Sequence, residues 1–210
     1  MYRRRRWISH NYETRIKMAK KKKYTEALDP NKPHLGGNFI EVNPSTYCPA
    51  VWTYIIKKYN IKSVMDVGSG RGHAAKWFAS QGLQTTAVDG LEDNIKNSVY
   101  PTVLCDLTEG SYSKDVDLVN CIEVVEHIEE KYINNLLDTI CSGKYLFMTH
   151  GLPGQEGHHH VNCQPTEYWL NQLADRGYKE LTPDSRELQR IASSTKAHHI
   201  KDTGMLFVKV

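Results

Sequence analysis

The chain has 210 residues, 40% of them apolar and 10% aromatic, with a formal charge of +3. That suits one domain with a real core and a short extension. No apolar run approaches the ~20 residues of a membrane span, and the charged N-terminus lacks the apolar stretch of a secretory signal.

The charge is unevenly spread. Residues 1–23 hold ten Lys and Arg (Arg3, Arg4, Arg5, Arg6, Arg15, Lys17, Lys20, Lys21, Lys22, Lys23) against one acid, Glu13, so this segment carries +9 and the remainder −6. Such an arm has two readings: a contact for nucleic acid or another polyanion, or a solvated terminus. Tyr2, Trp7, Tyr12 and Tyr24 are interleaved with the charge, which keeps base stacking open. Pro30 and Pro33 punctuate its end, so residues 1–34 read as the arm and 35–210 as the domain.

Pro49 opens a helix at its first turn, through Trp52, Ile55, Ile56 and Tyr59. A strand over 62–67 then ends on a carboxylate and breaks into alternating glycines, Asp66-Val67-Gly68-Ser69-Gly70-Arg71-Gly72. A helix over 71–81 follows, with Ala74, Ala75, Phe78 and Ala79 on one face and Gly82 as its stop. Glycines at a strand-to-helix turn let the backbone approach a ligand closely, and the helix start offers free N–H groups. His73 stands where the dinucleotide fingerprint needs glycine. A carboxylate at the strand end, Asp66, suits a cofactor with a cationic amino group, as S-adenosylmethionine has, rather than a pyrophosphate. A second strand, 83–88, leads to Asp89 and Gly90, an acid placed about 20 residues past the glycines for ribose hydroxyls. A third, 101–105, leads to Asp106 and Leu107, with Asp106 placed to accept from an adenine amino group.

A fourth strand covers 116–122. Beyond it Val125, Ile128, Tyr132, Leu136 and Ile140 recur at three- and four-residue spacing, which predicts a long helix with a core stripe. The same spacing sets Glu123, Glu126 and His127 on one helical face. A fifth strand, 144–149, runs into His150 and a loop, 151–163, with Gly151, Gly154, Gly157 and the triplet His158, His159, His160. In extended chain, His158 and His160 point to one side and His159 to the other. A helix from Pro165 carries Trp169, Leu170, Leu173 and Ala174 and stops at Gly177. Strands over 178–181 and 204–210 close the chain; residues 182–203 receive no assignment. Cys48, Cys105, Cys121, Cys141 and Cys163 form no C-x-x-C pair, which fits reduced thiols in a cytoplasmic protein.

With V-M-D-V-G-S-G-R-G at 64–72, T-T-A-V-D-G at 85–90, L-C-D-L at 104–107 and D-L-V-N-C-I-E-V-V-E-H-I at 117–128, the chain resembles the class I S-adenosylmethionine-dependent methyltransferases, closest to the small single-domain type 11/23 group, over roughly 36–210. The resemblance implies an α/β, Rossmann-like, seven-stranded and mostly parallel sheet in the order 3-2-1-4-5-7-6, with helices on both faces. It implies cofactor contacts from Asp66, Gly68, Ser69, Gly70, Gly72, Asp89, Gly90, Asp106, Leu107 and Glu123. Open α/β sheets bind ligands where strand order reverses, here between strands 1 and 4, so the segment after strand 4 faces the glycine loop.

Candidate catalytic residues are therefore Glu123, Glu126, His127, His150, His158 and His160. One of them can take a proton from the acceptor as the methyl moves. Alternatively, two carboxylates and two imidazoles bind a divalent metal that orients and acidifies an acceptor hydroxyl. A third reading has them only hydrogen-bond around the pocket. The E-x-x-E-H spacing is similar to that in small-RNA 2′-O-methyltransferases and some quinone-precursor O-methyltransferases, where metal ligation occurs. E-V-x-E-H is also found in methyltransferases without metal, so no metal ligand is assigned. Asn120-Cys121-Ile122-Glu123 lacks both the Asn/Asp-Pro-Pro-aromatic motif of amino-methylating DNA enzymes and the Pro-Cys nucleophile of cytosine-C5 enzymes. The expected activity is methyl transfer to a hydroxyl or amine of a small polar acceptor such as a sugar or metabolite, releasing S-adenosylhomocysteine. The alternatives are a nucleic-acid methyltransferase using the basic arm, with or without metal, and a non-catalytic cofactor binder.

Overall fold

Seven short runs pair into one sheet: β1 (Ser63–Val67), β2 (Gln84–Asp89), β3 (Thr102–Leu104), β4 (Leu118–Cys121), β5 (Tyr145–Met148), β6 (Tyr178–Glu180) and β7 (Met205–Lys209). The computed structural model describes residues 29–36 and 39–210, so the basic segment 1–23 lies outside the described residues. Strand order is β3-β2-β1-β4-β5-β7-β6, as the resemblance implies. β1 to β5 pair in parallel, and β7 runs antiparallel to both β5 and β6.

The central strands are buried on both faces, which is why Val64-Met65 in β1 and Leu118-Val119 in β4 are consecutive apolar pairs rather than an alternation. Neighbouring residues on a strand feed opposite cores. Leu118 and Phe147 join Trp52, Ile55, Phe78 and Leu188 on one side of the sheet. Val119 and Leu146 join Leu136, Trp169 and Phe207 on the other. The helices are α1 (Pro49–Tyr59), α2 (His73–Ser80), α3 (Glu92–Lys96), α4 (Ile133–Ile140), α5 (Thr166–Ala174), α6 (Thr182–Ser193) and α7 (His198–Thr203). The β1–β4 register sets Asp66 beside Asn120 and Val67 beside Cys121 at the carboxyl edge, where the site forms.

Two parts of the sequence reading change. The long helix after β4 does not form. Two single 3₁₀ turns, Val125–His127 and Glu130–Tyr132, precede α4. The chain is extended at Ile128 and Glu129, and the Glu126 carbonyl, which a helix would bond internally, instead accepts from the N–H groups of Val161 and Asn162. The apolar stripe is still core: Val125, Ile128, Leu136 and Ile140 are buried. Residues 182–203 hold α6 and α7. α6 is mostly polar, with Pro in its first turn, and it turns Leu188 and Ala192 into the α1-side core.

Candidate active site

The glycine loop is shaped by its own backbone. Gly68, Gly70 and Gly72 all have positive φ. A Cβ at Gly68 would lie 2.3 Å from Val124 Cγ2, so a side chain is excluded by both conformation and space. Ser69 and Gly70 line a cavity of about 310 Å³ at the carboxyl edge of β1 and β4, together with Asp66, Gly68, Trp52, Asn120, Glu123 and His127. A smaller cavity of about 70 Å³ shares Gly68, Glu123 and His127 with it and reaches Asp89, Gly90 and Leu107.

Asp66 is buried, and its Oδ1 accepts from Asn120 Nδ2 at 2.7 Å. Asn120 is itself fixed by Trp52, whose indole N–H donates to Asn120 Oδ1 at 3.1 Å. Oδ2 of Asp66 has no protein partner. Burial opposes its charge and pushes the carboxyl up to about 7, with the Asn120 hydrogen bond pulling the other way. An orphaned buried oxygen in the cavity wall fits the cationic amino group of S-adenosylmethionine, because a positive partner would restore the ionised form. Asp89 accepts from Gly70 N at 2.8 Å, Leu91 N at 2.9 Å and Asn94 Nδ2 at 3.1 Å. It therefore ties the glycine loop to β2 and keeps acceptor capacity on Oδ2 for a hydroxyl.

Asp106 departs from the expected role. It lines neither cavity. Its carboxylate is occupied by Lys32 Nζ at 3.1 Å, His34 Nε2 at 2.8 Å and the Thr108 N–H and hydroxyl. Burial pushes this carboxyl up, but those bonds outweigh it and hold it below the usual range. The segment around His34, assigned to the arm from sequence, thus packs on the domain. Leu35 lies over Gly90, and His158 Nε2 meets Pro33 O at 2.8 Å, so this strap roofs the smaller cavity.

Glu123, Glu126 and His127 do converge, but through a 3₁₀ turn rather than a helix face. Glu123 has φ +55°, a strained conformation for a non-glycine residue that costs ~1–3 kcal/mol. Its Oε1 accepts from Thr149 Oγ1 at 2.9 Å, and its Oε2 lies 2.9 Å from His199 Nδ1. Glu126 is fully buried, and neither carboxyl oxygen has a hydrogen-bond partner. Burial first, and then the Glu123 charge, push its carboxyl far up. His127 Nδ1 is also buried and unpartnered. Burial and the neighbouring His160 lower that imidazole to about 4. Ligand atoms of Glu126, His127 and His160 lie within 4.8 Å of one another. One oxygen and two nitrogens, with the carboxylate and His127 unsatisfied in the fold, fit a divalent cation. Glu123, counted with them from its spacing, spends its carboxylate on Thr149 and His199 instead.

The histidines divide by position. His158 and His160 line the larger cavity and His159 does not, but a turn with His159 at φ +48° separates them rather than the extended chain that alternation assumes. His150 is corrected. It is buried outside both cavities, with Nδ1 3.2 Å from Gly151 O and Nε2 3.1 Å from Thr166 Oγ1, so its ring holds the β5 end to α5. The sequence does not mark His199, Trp52 and Asn120 as site residues, although all three line the larger cavity. Asn120 is flagged only by its register against Asp66, and His199 by no local signal, since it enters from α7.

A methyltransferase-domain family model matches residues 11–193. Ubiquinone biosynthesis O-methyltransferases from Rickettsia typhi and Rickettsia bellii are 37% and 34% identical over alignments of 105 and 110 positions that cover 41% and 44% of this chain. The chain spans less than half of those relatives' length, 43% and 46%. Among solved structures, a SAM-dependent methyltransferase from Archaeoglobus fulgidus superposes with a TM-score of 0.54 at 18% identity, covering 76% of this chain and 91% of that one. Magnesium protoporphyrin IX methyltransferase from Synechocystis with bound SAM gives 0.57 at 15% identity and covers 77% of each chain. At these identities the structures share the fold. Together with the family match, the glycine loop and the orphaned Asp66, they identify the chain as a member of the methyltransferase-domain family, a class I S-adenosylmethionine-dependent methyltransferase.

Proposed function

We propose that this methyltransferase acts on a hydroxyl of a small polar acceptor in the cytoplasm, with a divalent cation held by Glu126, His127 and His160. The observation that carries the reading is the meeting of three unsatisfied or cavity-facing ligand groups beside the glycine loop. The O-methyltransferase names of the Rickettsia relatives support a hydroxyl over an amine acceptor. When bound, S-adenosylmethionine supplies a methyl group already activated by its sulfonium. The residues then have to align acceptor and methyl and to manage one proton. Asp66, fixed by Asn120 and Trp52, holds the amino group; Asp89 takes a ribose hydroxyl; Gly68 and Gly70 allow close approach. A cation at Glu126, His127 and His160 would orient and acidify the hydroxyl, and it would neutralise the buried Glu126.

The test is mass spectrometry of products from S-adenosylmethionine with 3,4-dihydroxybenzoate, a ribonucleoside and a simple sugar, each with an amine counterpart. Activity should vanish with a chelator and return with Mn²⁺ or Mg²⁺. Glu126→Ala and His160→Ala should lose metal by calorimetry and keep S-adenosylhomocysteine binding. Products on amines alone would overturn the hydroxyl reading, and turnover indifferent to chelators would overturn the cation.

A further inference from the structure

His199 stands in the wall of the larger cavity and lies beyond residues 11–193, the stretch that the family model matches. It is anchored at both backbone ends. Its N–H donates to Ser45 O at 3.3 Å, and its carbonyl accepts from Thr203 Oγ1 at 3.3 Å. The His198 ring packs against it at 4.2 Å. Its Nδ1 meets Glu123 Oε2 at 2.9 Å. A carboxylate only accepts, so at this 2.9 Å contact the shared proton sits on Nδ1. Nε2 is then the ring nitrogen with a free lone pair, and it has no hydrogen-bond partner among the described residues.

The other imidazoles of this wall are differently placed. His158 Nε2 is taken by Pro33 O, His160 Nδ1 by Gln155 O, His73 Nε2 lies 3.4 Å from Ile40 O, and His127 is buried against His160. Of the five imidazoles in this wall, His199 is the one with an ion-pair contact to a carboxylate.

We propose that His199, oriented by Glu123, is the general base that takes the acceptor's hydroxyl proton during methyl transfer. This rests on the hydroxyl-acceptor reading above. As the acceptor oxygen forms its bond to the methyl carbon, the carbon–sulfur bond breaks with its electron pair returning to sulfur, and the hydroxyl proton passes to Nε2. The products are the methyl ether, neutral S-adenosylhomocysteine and an imidazolium paired with the Glu123 carboxylate. The ring, about a quarter exposed, then gives its proton to solvent.

The experiment compares wild type, His199→Ala and Glu123→Gln on 3,4-dihydroxybenzoate and on the more acidic 4-nitrocatechol. His199→Ala should lower kcat by ~10²–10⁴-fold, with unchanged S-adenosylhomocysteine affinity and melting temperature. Added imidazole should restore part of that rate in His199→Ala alone. The loss should be smaller for 4-nitrocatechol, whose proton leaves more readily. Independently of any acceptor, ¹⁵N NMR of the wild type should show His199 as the Nδ1–H tautomer. Full kcat in His199→Ala, or an Nε2–H tautomer, overturns the proposal. If wild type methylates neither phenol, the hydroxyl reading fails by itself, and the tautomer still decides the Glu123–His199 pair.

Discussion

Asp66 keeps one buried carboxyl oxygen, Oδ2, without a hydrogen-bond partner. Its folded pKa of about 7 lies above the ordinary 3.8 because burial opposes the charge. Its contribution to the stability of the cofactor-free protein is therefore complete below about pH 4 and is lost as pH rises through about 7. Asp66→Asn should raise cofactor-free stability above pH 7 by up to about 4 kcal/mol, at about 1.4 kcal/mol for each pKa unit. The same change should weaken S-adenosylhomocysteine binding by the ~1.5–3 kcal/mol of a hydrogen bond to a charged group. Melting curves across pH and calorimetry read the two effects separately, and unchanged affinity would remove Asp66 from the site. Gly68→Ala should fail differently: positive φ and the Val124 contact both penalise it. We expect a loss of ~1–3 kcal/mol in denaturant unfolding from the backbone alone, and Val124→Ala in the same chain should relieve only the steric part.

Loop 151–163 and the turn after β4 are one structural unit. The Glu126 carbonyl takes two N–H bonds from Val161 and Asn162, and that is the bonding a helix from 123 onward would have used. His150 anchors the loop's entry through Thr166. His150→Leu should thus lower the melting temperature, at ~1–3 kcal/mol for the polar partners left unpaired, while turnover per folded molecule persists. Lost turnover with unchanged stability would return His150 to the chemistry. On the opposite side of the sheet, α6 lays Leu188 into the core beside α1. Leu188→Ala should cost ~2–5 kcal/mol by chemical denaturation, a large effect from a segment whose sequence is mostly polar. α7 then continues to His199, so the last helix completes the cavity that the first motifs begin.

Charge separates the molecule into a basic segment and an acidic remainder: residues 1–23 carry +9 and the rest −6. The described chain begins just beyond, at Asp29, and its next residues already pack on the domain, Lys32 and His34 on Asp106 and Leu35 over Gly90. Removing residues 1–23 should therefore leave melting temperature and S-adenosylhomocysteine affinity intact. If the arm contacts nucleic acid, full-length protein should bind RNA with an affinity that falls steeply with salt, through counterion release, and the truncated form should not. Equal, equally salt-dependent binding by both forms would exclude the arm as the contact. No helix among the described residues is long and apolar enough to cross a membrane.

The sequence by itself determined the frame of the site. Short apolar runs ending on Asp66 and Asp89, glycines that only positive φ explains, and a helix directly after them are local signals, set by backbone sterics and by side-chain period. With the family resemblance, they also carried the strand order. Tertiary structure alone decided how charged groups pair. Asp106 turns to Lys32 and His34, more than seventy positions away. Glu123 turns to His199, and Glu126 is left buried without a partner. His150, beside the loop in sequence, faces α5. No period in the chain encodes these choices, because a carboxylate's partner depends on which segments the sheet register and loop closure bring within about 3 Å. The helix expected over 125–140 was lost for the same reason: a carbonyl it needed found better donors from a loop some thirty-five residues downstream.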